Sequence, residues 1–72
     1  MSDEVKTIGS ELPKEMARVR DKLIPMYQSI GPSGMFAIMG MRADLDRAAK
    51  AMIEGDTVEM IRVYQSLKGW EE

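Results

Sequence analysis

Apolar residues recur at alternating spacings of three and four along most of the chain, in three stretches with a break between each. The breaks are residues 31–34, which read Gly-Pro-Ser-Gly, and residues 55–56, which read Gly-Asp. A spacing of three and four places side chains on one face of an α-helix, and glycine and proline between such stretches are typical of turns. The pattern therefore predicts an all-α fold of three helices, at about 10–30, 34–54 and 56–68.

Residues 1–9 show no periodicity and are expected to form a flexible tail. The first helix is expected to begin at Ser10 as its N-cap, with Pro13 in the first turn, where a missing N–H does no harm. Its apolar stripe consists of Met16, Val19, Leu23, Met26 and Ile30. Pro25 disturbs this helix, because its ring collides with the carbonyl of Asp21. Since the stripe continues in phase beyond the proline, we expect a kinked helix rather than two separate ones.

The second and third helices are predicted from their stripes and from the turn between them. The stripe of the second helix is Ile38, Met41, Leu45, Ala48 and Met52, and that of the third is Met60, Ile61, Val63, Tyr64 and Leu67. Ser33 can cap the second helix, and Gly55 is expected to end it in a left-handed conformation. Because the connection is so short, the two helices must form an antiparallel hairpin. The predicted architecture is a kinked first helix packed on this hairpin.

The third helix is expected to carry a stabilising motif at each end. Asp56 and Glu59 have the spacing of an acidic capping box, in which Asp56 accepts a backbone hydrogen bond and Glu59 reaches back. Gly69 is expected to end the helix in a Schellman motif. Trp70 would then fold back on the last turn as the hydrophobic partner of that motif.

The size and composition of the chain limit how it can be stabilised. A single domain of 72 residues buries only about 60% of the surface that its unfolded chain exposes. Small proteins usually add disulfides, a metal or a partner subunit, but this sequence has no cysteine and no histidine. We therefore expect no metal and no cofactor. Self-association remains, and a homodimer or a larger homo-oligomer is predicted.

Charge and hydropathy do not indicate a membrane or nucleic-acid protein. The net charge is −2, from ten basic and twelve acidic residues, so no bulk field attracts nucleic acid or anionic lipid. The longest apolar run, residues 35–41, is interrupted by Gly40 and is too short to span a bilayer. No apolar segment of a signal peptide follows the acidic start of the chain. The sequence therefore predicts a cytoplasmic protein.

The charged residues do not point to catalysis. Without histidine and cysteine, the usual general bases and soft nucleophiles are absent. Asp44 and Asp46 are two residues apart, so on one helix they face different directions and cannot form a carboxylate pair. Arg42 and Lys50 are expected to form i,i+4 ion pairs with Asp46. The chain is therefore predicted to bind other molecules and not to be an enzyme.

Methionine is the unusual part of the composition, with eight in 72 residues. Its flexible, polarizable side chain suits either an irregular core or an adaptable binding surface. Met41 and Met52 are expected in the core. Met35, Phe36 and Met39 are expected to contact another subunit or a partner protein, because a lone hairpin cannot cover so apolar a turn on all sides.

Gly40 and two aromatic residues complete the candidate interface. Glycine inside a helix costs up to about 1 kcal/mol relative to alanine, so Gly40 calls for a structural reason. We expect close approach of another backbone or of an aromatic side chain, such as Tyr27 or Tyr64, and a bound ligand is the alternative reason. Tyr27 and Trp70 are expected to contribute to the surface that binds a partner. The predicted function is a non-catalytic interaction protein that associates with itself and binds a protein partner.

Two other binding functions remain open. Ser33, Gly34 and Arg42 can hold an anionic, nucleotide-like ligand between subunits, since backbone N–H groups at a helix N-terminus attract phosphate or carboxylate. The first helix also carries an i,i+4 row of basic residues, Lys14, Arg18 and Lys22. Such a row can touch phosphates, although the acidic residues among it make the face mixed. Weak nucleic-acid binding is therefore the third hypothesis.

Parts of the chain resemble known proteins. Residues 48–56 (AAKAMIEGD), with Glu59, Ile61, Tyr64 and Leu67, resemble half of a tetratricopeptide-type hairpin, which implies hairpin packing only, because a second repeat is absent. Residues 23–27 (LIPMY), 31–36 (GPSGMF) and 55–64 (GDTVEMIRVY) are together similar to short helical accessory proteins of temperate phages and prophages. This resemblance implies a cytosolic protein that contacts host components. Such proteins inhibit host enzymes, antagonise defence systems or sequester signalling nucleotides.

Overall fold

The structure, a computed structural model, describes the backbone of residues 2–71 and the side chains of residues 8–71. Its elements are α1 (Ser2–Arg18), a π-helical turn (Val19–Leu23), α2 (Ile24–Ile30), a 3-10 turn (Pro32–Gly34), α3 (Met35–Glu54) and α4 (Thr57–Lys68). The segments α1, π turn and α2 follow one another without interruption and make up one long first helix. The predicted all-α fold of three helices is confirmed, and residues 2–71 contain no strand.

The first helix begins at Ser2, well before the predicted start at Ser10. Met1, the first residue of the predicted tail, lies outside the described residues. Pro13 therefore lies in the helix interior and not in its first turn. The physical reason is visible in the packing, because Ile8 and Leu12 are one helical turn apart and both are buried in the core. Their burial continues the apolar stripe toward the N-terminus, on the other side of Gly9. Gly9 has no side chain, so it interrupts the apolar pattern in the sequence but not the helix.

Gly9 provides a test of this longer helix. A Cβ atom at this position would meet no heavy atom within 4 Å, so alanine can be introduced without a clash. Because alanine is favoured over glycine inside a helix, we expect Gly9→Ala to raise the free energy of unfolding by about 0.5–1 kcal/mol. Urea denaturation followed by circular dichroism measures the change. A variant that is no more stable than the wild type would mean that this part of the chain is not helical.

The distortion expected at Pro25 takes the form of the π-helical turn that precedes it. The backbone N–H of Ile24 donates to the carbonyl of Val19, five residues back, and Pro25 then lies in the first turn of α2. A π turn inserts one extra residue into the helix and changes the phase of the side chains that follow. Ile24 therefore enters the core, whereas Ile30, which the predicted stripe placed inside, is exposed.

The antiparallel hairpin of α3 and α4 is present as predicted. Gly55 has a φ of 67°, in the left-handed region, and the N–H of Asp56 donates to the carbonyl of Ala51 at 2.9 Å. The Asp56 carboxylate caps α4 by accepting from the N–H of Glu59 at 3.1 Å. The other half of the predicted capping box is wrong, because the Glu59 carboxylate accepts from Nε of Arg47 at 3.0 Å.

Two other predicted helix ends differ from the structure. Ser33 does not cap α3, because it lies in the 3-10 turn and Gly34 occupies the N-cap position without a side-chain hydrogen bond. Gly69 keeps a right-handed conformation, with φ −69°, so the Schellman motif predicted there is wrong. Trp70 is directed onto α3 and hydrogen-bonds there, and this contact takes the place of folding back on α4.

All three helices contribute to one core. Its buried side chains are Ile8, Leu12, Val19, Leu23, Ile24, Ile38, Met41, Ala48, Val63 and Leu67. Met41 is buried as predicted, but Met52 is exposed, because Ala51 occupies the buried side of the last turns of α3. No helix within residues 2–71 has both the length and the apolar character needed to cross a membrane.

Candidate interaction surface

The apolar side chains at the start of α3 lie on the outside of the molecule. Met35, Phe36 and Met39 are 49%, 85% and 63% exposed, whereas Ile38 and Met41 are buried on the opposite side of the same turns. The rigid helix therefore holds three large apolar side chains toward solvent, within two turns of one another. We call Met35, Phe36 and Met39 the apolar patch. It contains three of the six residues that the sequence assigned to the candidate interface.

The other three residues of that interface make contacts within the chain. A Cβ atom at Gly40 would lie 2.9 Å from ring atoms Cη2 and Cζ2 of Trp70. The close aromatic approach predicted for Gly40 is therefore present, with Trp70 in place of Tyr27 or Tyr64. The Tyr27 hydroxyl donates to the carbonyl of Glu71 at 3.0 Å. Tyr27 and Trp70 thus fix the C-terminal segment to the rest of the fold.

Asp44 is a buried carboxylate whose role the sequence reasoning missed. It is 7% exposed, and its Oδ2 accepts from the Ser66 hydroxyl at 2.6 Å and from Nε1 of Trp70 at 2.9 Å. Its Oδ1 accepts from Nη1 of Arg47 at 3.4 Å. These donors offset the cost of removing the carboxylate from water. The sequence did contain a signal for its burial, because Asp44 lies three residues after Met41 and therefore on the same buried face of the helix.

Arg18 holds the C-terminal end of α4 against the first helix. Its Nη2 donates to the carbonyl of Leu67 at 3.2 Å and to the carbonyl of Trp70 at 2.8 Å. The same guanidinium is paired with Glu15, at 2.6 Å. A cation at the carbonyl end of a helix satisfies unpaired acceptors and is favoured by the helix dipole. Arg18, which the sequence placed in a row that could bind nucleic acid, therefore makes structural contacts within the chain.

Two other basic residues of the first helix are paired with acids. Lys14 is paired with Glu11 at 3.2 Å, and Arg20 is paired with Asp21 at 2.9 Å. The hydrogen bond from Arg20 lowers the pKa of the Asp21 carboxyl, and the pKa of Arg20 is raised by the same bond. The first helix therefore presents a face of mixed charge, as its sequence indicated.

Two of the three residues of the predicted ligand site, Ser33 and Gly34, lie in the 3-10 turn, and the third, Arg42, lies in α3. Gly34 is buried, and a Cβ atom there would collide with the carbonyl oxygen of Tyr27. Ser33 and Arg42 are exposed, and Arg42 lies eight residues beyond Gly34, which is about 12 Å along a helix axis. A ligand that contacts both Arg42 and the start of the helix would have to span that distance.

A cleft of about 270 Å³ lies between α3 and the start of α4. It is lined by Arg47, Lys50, Ala51, Glu54 and Glu59. Arg47 and Glu59 form an ion pair at 2.9 Å, so two of the four charges of the cleft neutralise each other. Within the described part of the chain, no cluster of three or more acidic, histidine or cysteine side chains could hold a metal ion.

Comparison with known proteins gives no assignment for this arrangement. Neither protein-family models, nor curated proteins, nor solved structures show a match to the chain.

Proposed function

We propose that the chain is a non-catalytic interaction protein that associates with itself through the apolar patch. The observation that carries this proposal is the 85% exposure of Phe36, between two further exposed apolar side chains on one rigid helix. Burying a phenylalanine side chain fully contributes about 1.5–3 kcal/mol. Contiguous apolar patches of this kind mark sites of protein association. Association also supplies the burial that a chain of this size lacks on its own.

The proposed partner, besides a second copy, is a protein of a bacterial host. The resemblance to accessory proteins of temperate phages supports this class of partner, and it implies a cytoplasmic inhibitor or an antagonist of a defence system. Two of the three patch residues are methionines, whose flexible side chains adapt to different surfaces. A patch of this composition can bind a second copy of the chain when no host protein is bound, and the host protein in a complex.

Phe36→Asp tests the role of the patch in self-association. The side chain is exposed, so the substitution leaves the core intact, but it places a charge where apolar surface must be buried. We expect the wild type to sediment as a dimer or larger oligomer and the variant as a monomer, in analytical ultracentrifugation over a range of concentrations.

Val58→Asp is the matched control, because Val58 is also exposed and apolar but lies at the start of α4, outside the patch. It should sediment like the wild type. If Phe36→Asp also keeps the mass of the wild type, the patch is not the interface. If the wild type is a monomer at all concentrations, the chain does not associate with itself.

A further inference from the structure

The outer face of α3 carries a second regular stripe besides the buried one. Six residues on this face follow the alternating spacing of four and three, and all of them are exposed: Met35, Met39, Arg42, Asp46, Ala49 and Ile53. This spacing is the seam of a coiled coil, in which two helices pack along their length. We call these six residues the outer seam. It starts with two residues of the apolar patch and continues to the other end of the helix.

The chemical order along the outer seam is nearly the same from either end. Two apolar residues begin it, two residues of opposite charge stand at its centre, and two apolar residues end it. When a second copy lies antiparallel, with a two-fold axis level with residue 44, Arg42 faces Asp46 of the second copy and Met39 faces Ala49. Met35 then faces Ile53, which is 86% exposed. A parallel arrangement would instead place Arg42 against Arg42.

The two central charges are available for such a contact. The sequence predicted an i,i+4 ion pair between Arg42 and Asp46, but neither side chain forms a salt bridge or hydrogen bond with another described residue. Arg47 differs, since it is paired with both Asp44 and Glu59. Ala43 lies beside the seam near the proposed axis, where a small side chain allows two helices to approach closely.

We infer that the outer seam is the interface of an antiparallel homodimer, with two reciprocal Arg42–Asp46 ion pairs at its centre. This inference rests on the proposed self-association, and it adds the orientation, the register and the residues that determine both. Phe36, which follows Met35, lies at the edge of this interface. In the homodimer, the apolar patch of one copy is therefore covered by the C-terminal end of α3 of the second copy.

Charge reversal tests the two central pairs. Arg42→Asp or Asp46→Arg alone replaces both opposite pairs with like pairs, and each should raise the dissociation constant of the dimer by about tenfold or more. The double variant restores both pairs in the antiparallel arrangement and should dimerise like the wild type. An equimolar mixture of the two single variants should form a heterodimer. Sedimentation equilibrium measures all four samples, with thermal unfolding of each as a check of folding.

Cysteine pairs test the orientation directly, because the chain has no cysteine of its own. In the antiparallel dimer, Met35→Cys and Ile53→Cys on different copies face each other within disulfide distance. The two copies of residue 35 would instead be about 27 Å apart, because residues 35 and 53 are eighteen residues apart on a helix that rises about 1.5 Å per residue. Under mild oxidation, a mixture of the two variants should give a covalent dimer, whereas each variant alone should remain uncrosslinked.

The outcomes separate this inference from the proposed function. If the wild type dimerises and Phe36→Asp is monomeric, but charge reversal has no effect or the double variant stays dissociated, the antiparallel register is wrong and self-association through the patch stands. Crosslinking of either cysteine variant with itself would likewise overturn the register alone. A wild type that is monomeric at all concentrations overturns both.

Discussion

Asp44→Ala is expected to lower the free energy of unfolding by about 2–3 kcal/mol, because it removes the charged acceptor of two hydrogen bonds, one of them from the partly buried Trp70. The Ser66 hydroxyl and Nε1 of Trp70 both donate to the same oxygen of Asp44, and neither donates to any other described residue. Alanine also leaves a space beside the Trp70 ring. Trp70 is the only tryptophan of the chain, so chemical denaturation followed by its fluorescence reports both the stability and the local environment.

Asp44→Asn is the control that separates hydrogen bonding from charge. The asparagine carbonyl can occupy the position of Oδ2 and accept from both Ser66 and Trp70, so only the contact with Arg47 is lost. We expect a loss of about 1 kcal/mol or less, as for a single hydrogen bond. Equal losses for the two variants would mean that the negative charge of Asp44, and not its two donors, stabilises the fold.

The hairpin could be predicted from the sequence because its signals are local. Gly55 is followed at once by a residue that caps the next helix, and both signals act within one turn of the chain. The apolar stripes on either side then require the two helices to pack face to face. The prediction needed no information about distant contacts, and α3 and α4 end within one residue of the expected positions.

The cluster around Trp70 was missed because it depends on contacts between distant residues. A signal was nevertheless present in the lengths of the two helices. In an antiparallel hairpin, residues at equal distances from the turn lie opposite each other. Gly40 and Trp70 are each fifteen residues from Gly55, and Asp44 and Ser66 are each eleven residues from it. Counting outward from the turn would have paired the glycine with the aromatic ring and the carboxylate with the hydroxyl.

The π-helical turn could not be located from the stripe of the first helix. Pro25 requires some distortion of the turn before it, but the sequence pattern reads in phase whether the helix bends or inserts a residue. The choice depends on packing, because the extra residue brings Ile24 into the core and releases Ile30 to solvent. Ile24 and Ile30 are both isoleucines, so the sequence looks equally apolar whichever of them is buried. Periodicity alone therefore does not decide between a bent helix and a helix with an inserted residue.

Gly34→Ala should lower the free energy of unfolding by about 1–3 kcal/mol, the cost of introducing atoms into a space that is already filled. The added Cβ would collide with the carbonyl oxygen of Tyr27. That atom belongs to the backbone of α2, so it cannot rotate away as the end of a side chain can. Gly34 has φ −85°, which alanine adopts freely, so the effect is a clash and not conformational strain. Urea denaturation measures the loss.

Gly9→Ala is the matched control for this substitution, since it adds the same methyl group to a glycine with no neighbour within 4 Å. The two variants should change stability in opposite directions, because only Gly34 is in contact with a second helix. The clash can be relieved only if α2 and α3 move apart, and Met35 and Phe36 follow Gly34 directly in the chain. Gly34→Ala should therefore also displace the apolar patch and weaken the dimer in sedimentation. A variant as stable as the wild type would mean that α2 and α3 do not pack this closely.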